Sequence, residues 1–215
     1  MRGCPRHTVV RPGLAFEPNG WEHEMIMDRR RASQPHLSGP PGPPSRESPS
    51  SITRSSGLAP HFANDDVFIA VWKCVLVSIW KREHRPAYAV SRRSAGEALA
   101  AQAPGPLALF TLVLETGILP DDASREALAR VRLAPCFRRV VACAGVAEGP
   151  PLHAAALRAV SIDLDQRVPP PFPTRMFGTR ADAVLWVVER LAQAGEKSIQ
   201  GNDLVNAITA ATKTA

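Results

Sequence analysis

The chain has 215 residues, 45% of them hydrophobic and 21% charged, which is enough for one folded domain with tails. Its net charge of +6 is spread evenly, with 8 Lys/Arg against 5 Asp/Glu in residues 1–61 and 18 against 15 in residues 62–215. Neither half therefore holds the dense basic patch of a nucleic-acid groove, and no run reaches the ~18 apolar residues of a membrane span.

Residues 1–61 contain 10 of the 21 prolines, with Ser38-Gly39-Pro40-Pro41-Gly42-Pro43-Pro44-Ser45 at their centre. Such a segment buries too little apolar surface to offset its ordering entropy, so it reads as a disordered leader. Met25 and Met27 offer alternative starts, so the leader need not be translated in full. It lacks the apolar stretch of a secretory signal. Cys4, Cys74, Cys136 and Cys143 are far apart and form no Cys-x-x-Cys pair, which points to a reducing, cytoplasmic compartment.

The folded domain is expected over residues 62–194. Val67-Phe68-Ile69-Ala70-Val71-Trp72 and Val75-Leu76-Val77-Ser78-Ile79-Trp80 are almost unbroken β-branched, aromatic and aliphatic text, the pattern of strands covered on both faces. Lys73-Cys74 is the turn between them. Pro86 then opens a helix over 87–102, with Val90, Ala95, Ala98 and Leu99 facing inward and Arg92, Arg93 and Glu97 outward. Leu107–Leu114 reads as a buried strand. Pro120-Asp121-Asp122 starts the next helix, where acidic residues complement the dipole. A strand over 138–146, a helix over 151–166, a short strand at Arg175-Met176-Phe177 and a helix over 180–193 capped by Thr179 complete the order. Residues 195–215 read as a polar C-terminal tail. The order β-β-α-β-α-β-α-β-α implies an α/β fold: a mainly parallel five-stranded sheet with one antiparallel edge strand and helices packed on it.

Four segments carry a family resemblance. They are the opening strand pair, the Leu107–Leu114 and Val140–Val146 strands, and the ending Phe172-Pro173-Thr174-Arg175-Met176-Phe177 followed by Asp182-Ala183-Val184-Leu185-Trp186-Val187. Over about residues 64–193 the chain resembles a divergent member of the STAS (anti-sigma-factor-antagonist-like) superfamily. The resemblance implies a non-enzymatic domain of a bacterial-type signalling pathway that binds a protein partner, without a cofactor. It also implies a phosphorylation loop at the start of the helix after the third strand. Here that region holds Thr116, Gly117, Asp121, Asp122 and Ser124, without the family's Asp-Ser-x-Gly pattern. A phosphate there gains from the helix dipole and is repelled by the two aspartates.

The alternative reading is a small-molecule or lipid-binding module with Trp72, Trp80 and Phe110 lining an apolar pocket, although aromatic residues in strands are more simply packing. His84 and His153 have no ligand partner at metal spacing and read as loop or surface residues, so no metal site is expected. Cys143 reads as a buried structural thiol with no base beside it. Ala144-Gly145-Val146-Ala147-Glu148-Gly149 lacks the Lys-Ser/Thr of a phosphate loop, and no residue is nominated as catalytic. The identity of the protein partner is not legible, and a homodimer is left open.

Overall fold

A computed structural model describes residues 57–214 of the chain. The proline-rich text and most of the expected leader lie outside the described residues. The described part is an α/β domain built on a six-stranded sheet whose strand order follows the chain. The strands are β1 (Ala59–Ala63), β2 (Val67–Trp72), β3 (Val75–Trp80), β4 (Leu107–Val113), β5 (Val140–Ala147) and β6 (Thr174–Phe177). The helices are α1 (Ala87–Gln102), α2 (Asp122–Val131), α3 (Pro151–Arg167), α4 (Arg180–Gln193) and α5 (Gly201–Thr214).

The strand count is six rather than the expected five. Strand β1 pairs antiparallel with β2 and pulls Leu58, only 1% exposed, into the core. Its sequence, Ala-Pro-His-Phe-Ala, has little strand propensity of its own. Pairing with the apolar β2 supplies what composition does not. The domain consequently begins a few residues before position 62.

Strands β2 and β3 are antiparallel, and β3, β4, β5 and β6 are parallel. Lys73 makes the tight β2–β3 turn with a left-handed backbone (φ 51°). Its ammonium lies 4.7 Å from the Trp72 ring centroid and donates to the Ser198 carbonyl at 3.3 Å. From β3 to β6 each crossover steps one strand further in the same direction. Right-handed crossovers that never reverse put their helices on one face, so α1, α2 and α3 share a side of the sheet. Helix α4 closes the other side over β5, where Trp186 meets Phe177 at 5.5 Å between ring centroids.

The last residues are a helix rather than a polar tail. Leu204, Ala207, Ile208 and Ala211 recur at helical spacing on α5, each at most 4% exposed, and α5 packs on α4. Four apolar side chains in one stripe bury enough surface to order the segment although its remaining residues are polar.

Candidate functional site

The register decides which side chains face α1–α3. Ser78 pairs with Thr111, Thr111 with Gly145, and Gly145 with Met176, so these four form one row across the sheet. Trp80 and Val113 lie in the row above, and Leu76, Leu109, Cys143 and Thr174 in the row below. A sheet face under three helices is ordinarily all apolar. This one carries Ser78, Thr111 and Cys143 on its inner strands and Thr174 on the edge strand β6, and it has no side chain at Gly145. A Cβ at that position would collide with the Met176 sulfur.

Helix α1 adds a cation. Its buried residues are Tyr88, Ala89, Arg92, Ala95, Gly96 and Leu99, a stripe at helical spacing with one arginine in it. The expected orientation is rotated: Val90 is 70% exposed and Arg92 only 7%. Tyr88 sets this rotation, because its hydroxyl is anchored to Asp66 at 2.6 Å and its ring packs near Trp80. Gly96 sits against the Phe137 ring, which lets the helix approach closely. With those contacts fixed, position 92 faces the sheet.

The Arg92 guanidinium reaches Thr111 Oγ1 through Nη2 at 3.4 Å, a long contact, and its Nε finds no partner in the protein. Among the described residues no carboxylate pairs with it, and Arg132 adds repulsion. Burial therefore pushes the Arg92 guanidinium below its ordinary range. Arg132, also 7% exposed, is compensated by Asp165 of α3. Asp163, two residues away, points elsewhere and pairs with Arg167 at 3.0 Å.

Around Arg92 the sheet and the three helices form a partly open cavity of about 80 Å³. Trp80, His84, Thr111, Cys143, Leu157 and Val160 are among its lining residues, and no carboxylate is. His84 lies in the loop between β3 and α1, as expected, but is turned inward rather than to the surface: its ring is stacked on Trp80, with centroids 4.1 Å apart and planes at 17°. Burial, with Arg92 nearby, lowers its pKa to about 4, so the ring is neutral at pH 7. Neither ring nitrogen has a protein partner, and Ser78 Oγ and Thr174 Oγ1 are buried without one on the same sheet face. Buried polar atoms are almost always hydrogen-bonded. Five such atoms on one side of one sheet, counting Arg92 Nε, mark the site.

The residues singled out from sequence are distributed differently. Trp80 lines the cavity. Trp72 and Phe110 belong to the opposite face of the sheet, as the pairing of Trp72 with Val75 and of Phe110 with Val77 requires. The three aromatics therefore do not come together, because successive residues of a strand face opposite ways and the register pairs Trp80 with Val113 but Phe110 with Val77. In the loop, Thr116 is exposed and donates to the Lys81 carbonyl at 2.5 Å. Gly117 is buried and turns the chain through its N–H to Leu114 at 2.8 Å. Asp121 caps α2 by accepting from the Ser124 N–H at 2.8 Å, and Asp122 pairs with Arg167 at 2.7 Å. Ser124 is 1% exposed and donates to the His84 carbonyl at 2.6 Å. All five loop residues thus make structural contacts, and Thr116 alone carries an exposed hydroxyl.

Sequence reasoning missed Arg92, Arg132 and His84. The signal for Arg92 was present: the spacing 88, 89, 92, 95, 96, 99 gives a continuous small and aromatic stripe that includes the arginine. Cys143 is buried beside Arg92 as a free thiol. Among the described residues no three His, Cys, Asp or Glu gather as a metal site, and no helix is long and apolar enough to cross a membrane. No family profile, curated protein or solved structure matches this chain.

Proposed function

We propose that the domain is a non-catalytic regulatory module that senses a small molecule held in the cavity between the sheet and α1–α3. The observation that carries this reading is the cluster of buried, unpartnered polar atoms on residues that line that cavity: both His84 nitrogens, Arg92 Nε and Thr174 Oγ1, with Ser78 Oγ unpartnered on the same sheet face. A cavity that served packing alone would be lined by apolar atoms, since each unpaired buried polar group costs ~1–3 kcal/mol. The lining supplies donors and acceptors for orientation and apolar walls for contact, the usual composition of a ligand site. The likeness to the STAS superfamily supports a regulatory role. The free Cys74, Cys136 and Cys143 support a reducing compartment.

The coupling of ligand to surface follows from one hydrogen bond. Ser124, at the start of α2, is tied to the backbone of His84, whose ring lines the cavity. A ligand that moves the His84 ring therefore pulls on the loop that carries Thr116, Asp121 and Asp122. The second reading, a protein-docking face at that loop, is supported by the neighbouring Ile118 and Leu119, which are 56% and 39% exposed. The two readings join if the loop reports cavity occupancy to a partner.

The test is a two-dimensional amide NMR titration of the full chain with a panel of small acids, amides and alcohols sharing one skeleton. Binding should perturb Thr111, Gly145 and Val160 first and Ser124 with them. Perturbation confined to Thr116–Leu119, or none with any compound, would count against the cavity as the site.

A further inference from the structure

We propose that the cavity takes the carboxylate of a short-chain organic acid and that Arg92 is its anchor. This rests on the cavity being a ligand site, as argued above, and adds the chemical class of the ligand.

Three observations lead there. First, Arg92 is a buried cation without a carboxylate partner among the described residues, while the neighbouring Arg132 has Asp165. A buried charge is stable only when paired or strongly solvated, so the complementary partner of Arg92 is an anion. Second, the guanidinium presents an Nε–H without a partner next to an Nη2 engaged only by the long 3.4 Å contact to Thr111. Adjacent N–H groups on one edge of the fork match the two oxygens of a carboxylate. Third, the rest of the wall is mostly apolar, with Leu157, Val160, Leu164 and Val113 lining the space, while Arg132 there is already paired with Asp165 and Ser161 adds one hydroxyl. A fully charged polyanion would leave its remaining oxygens against those side chains. A monocarboxylate with a short hydrocarbon body places one charged end on Arg92 and the other end on the aliphatic wall.

The size is consistent with this class. The volume of about 80 Å³ is roughly half that of the ~150 Å³ engineered cavity known to accept benzene. His84, neutral at pH 7, keeps one N–H that can donate to a carboxylate oxygen, and Thr111 and Thr174 hydroxyls complete the polar end. Arg92 acts here as a binding residue, and no chemical step is implied.

The experiment compares butyrate, butyramide and inorganic phosphate as ligands of the full chain at pH 7 in low-salt, carboxylate-free buffer, by NMR titration and by thermal shift. Butyrate should bind at least ~10-fold more tightly than butyramide, and phosphate should not compete. In Arg92→Met the acid should lose that advantage while butyramide binding is retained. Equal binding of acid and amide by the wild-type chain would overturn the carboxylate assignment and leave the cavity reading standing. Binding of neither would overturn both. Phosphate bound in preference to butyrate would overturn the apolar-body argument. The wild-type comparison decides even where Arg92→Met fails to fold. Arg92→Lys, which keeps the charge and loses the fork, should fall between the two.

Discussion

Arg92→Met removes a cation from inside the domain while keeping a long, flexible side chain in its place. The guanidinium is 7% exposed, with a long contact of 3.4 Å to Thr111 Oγ1 and the Cys143 thiol beside it, so little hydrogen bonding is lost. A hydrogen bond from a charged donor is worth ~1.5–3 kcal/mol at good geometry, and this one, stretched to 3.4 Å, is worth less. Against this stands the cost of holding an unpaired charge away from water, several kcal/mol even after relaxation. Methionine fills the same stem volume and places its thioether against Leu157 and Val160. The ligand-free variant should therefore be more stable than the parent by ~1–4 kcal/mol, the range found when buried ionic groups give way to apolar ones. For a domain of this size that corresponds to a rise in Tm of ~2–4 °C per kcal/mol. Urea denaturation in low-salt buffer, followed by circular dichroism, measures it through the midpoint at unchanged slope. Added butyrate should raise the parent's Tm and not the variant's, so that the gap narrows. A variant less stable than the parent by more than ~1 kcal/mol would refute the reasoning, because it would mean that Arg92 is well partnered in the free protein.

Stability should also depend on pH through His84. Its pKa falls from 6.5 to about 4 on folding because burial disfavours the charged ring, so between these values the unfolded chain binds the extra proton. The stabilisation is complete above pH ~6.5 and is lost as pH falls toward 4, an amplitude of ~3 kcal/mol that His84→Leu should abolish in urea melts at stepped pH. A flat parent profile across that window would show the ring to be solvated. Gly96→Ala should destabilise by ~1–2 kcal/mol although alanine favours helices by ~1 kcal/mol. The new Cβ would lie 2.7 Å from Phe137 Cζ and 3.3 Å from Cys136 Sγ in a packed region. A rise in Tm for this variant would show that the Phe137 ring yields. Ending the chain after residue 200 removes α5 and uncovers the fully buried Leu204 and Ile208 partners on α4. At ~1.5–3 kcal/mol for each buried aliphatic side chain, the loss should exceed ~4 kcal/mol in the same assay. An unchanged melting curve would mark α5 as dispensable.

Strands β2 to β5 and helices α1, α3 and α4 were legible because their apolar runs and periodicities are long and their ends are marked by Pro86, Pro104, Pro150 and Thr179. These local signals also set the α/β class and the antiparallel start. Strand β1 was not legible, since Ala59–Ala63 becomes a strand only by pairing with β2. Helix α5 was legible in part: its stripe of Leu204, Ala207, Ile208 and Ala211 is short, and its burial depends on α4 being there to cover it. The candidate pocket of Trp72, Trp80 and Phe110 failed on parity, which depends on the register between strands.

The site belongs almost wholly to the tertiary structure. From sequence, Arg92 is one of two adjacent arginines in an alanine-rich helix and reads as a solvated charge. Which of the two faces the core depends on the rotation of α1, and that rotation is set by Tyr88 on Asp66 and by Gly96 against Phe137, contacts made 22 and 41 residues away in the chain. Composition and periodicity thus determined the elements and their class, because each is the sum of many local preferences. Only the packed structure decided where one guanidinium points, because a single charge is outweighed by the apolar neighbours that orient its helix, and it is carried inward with them.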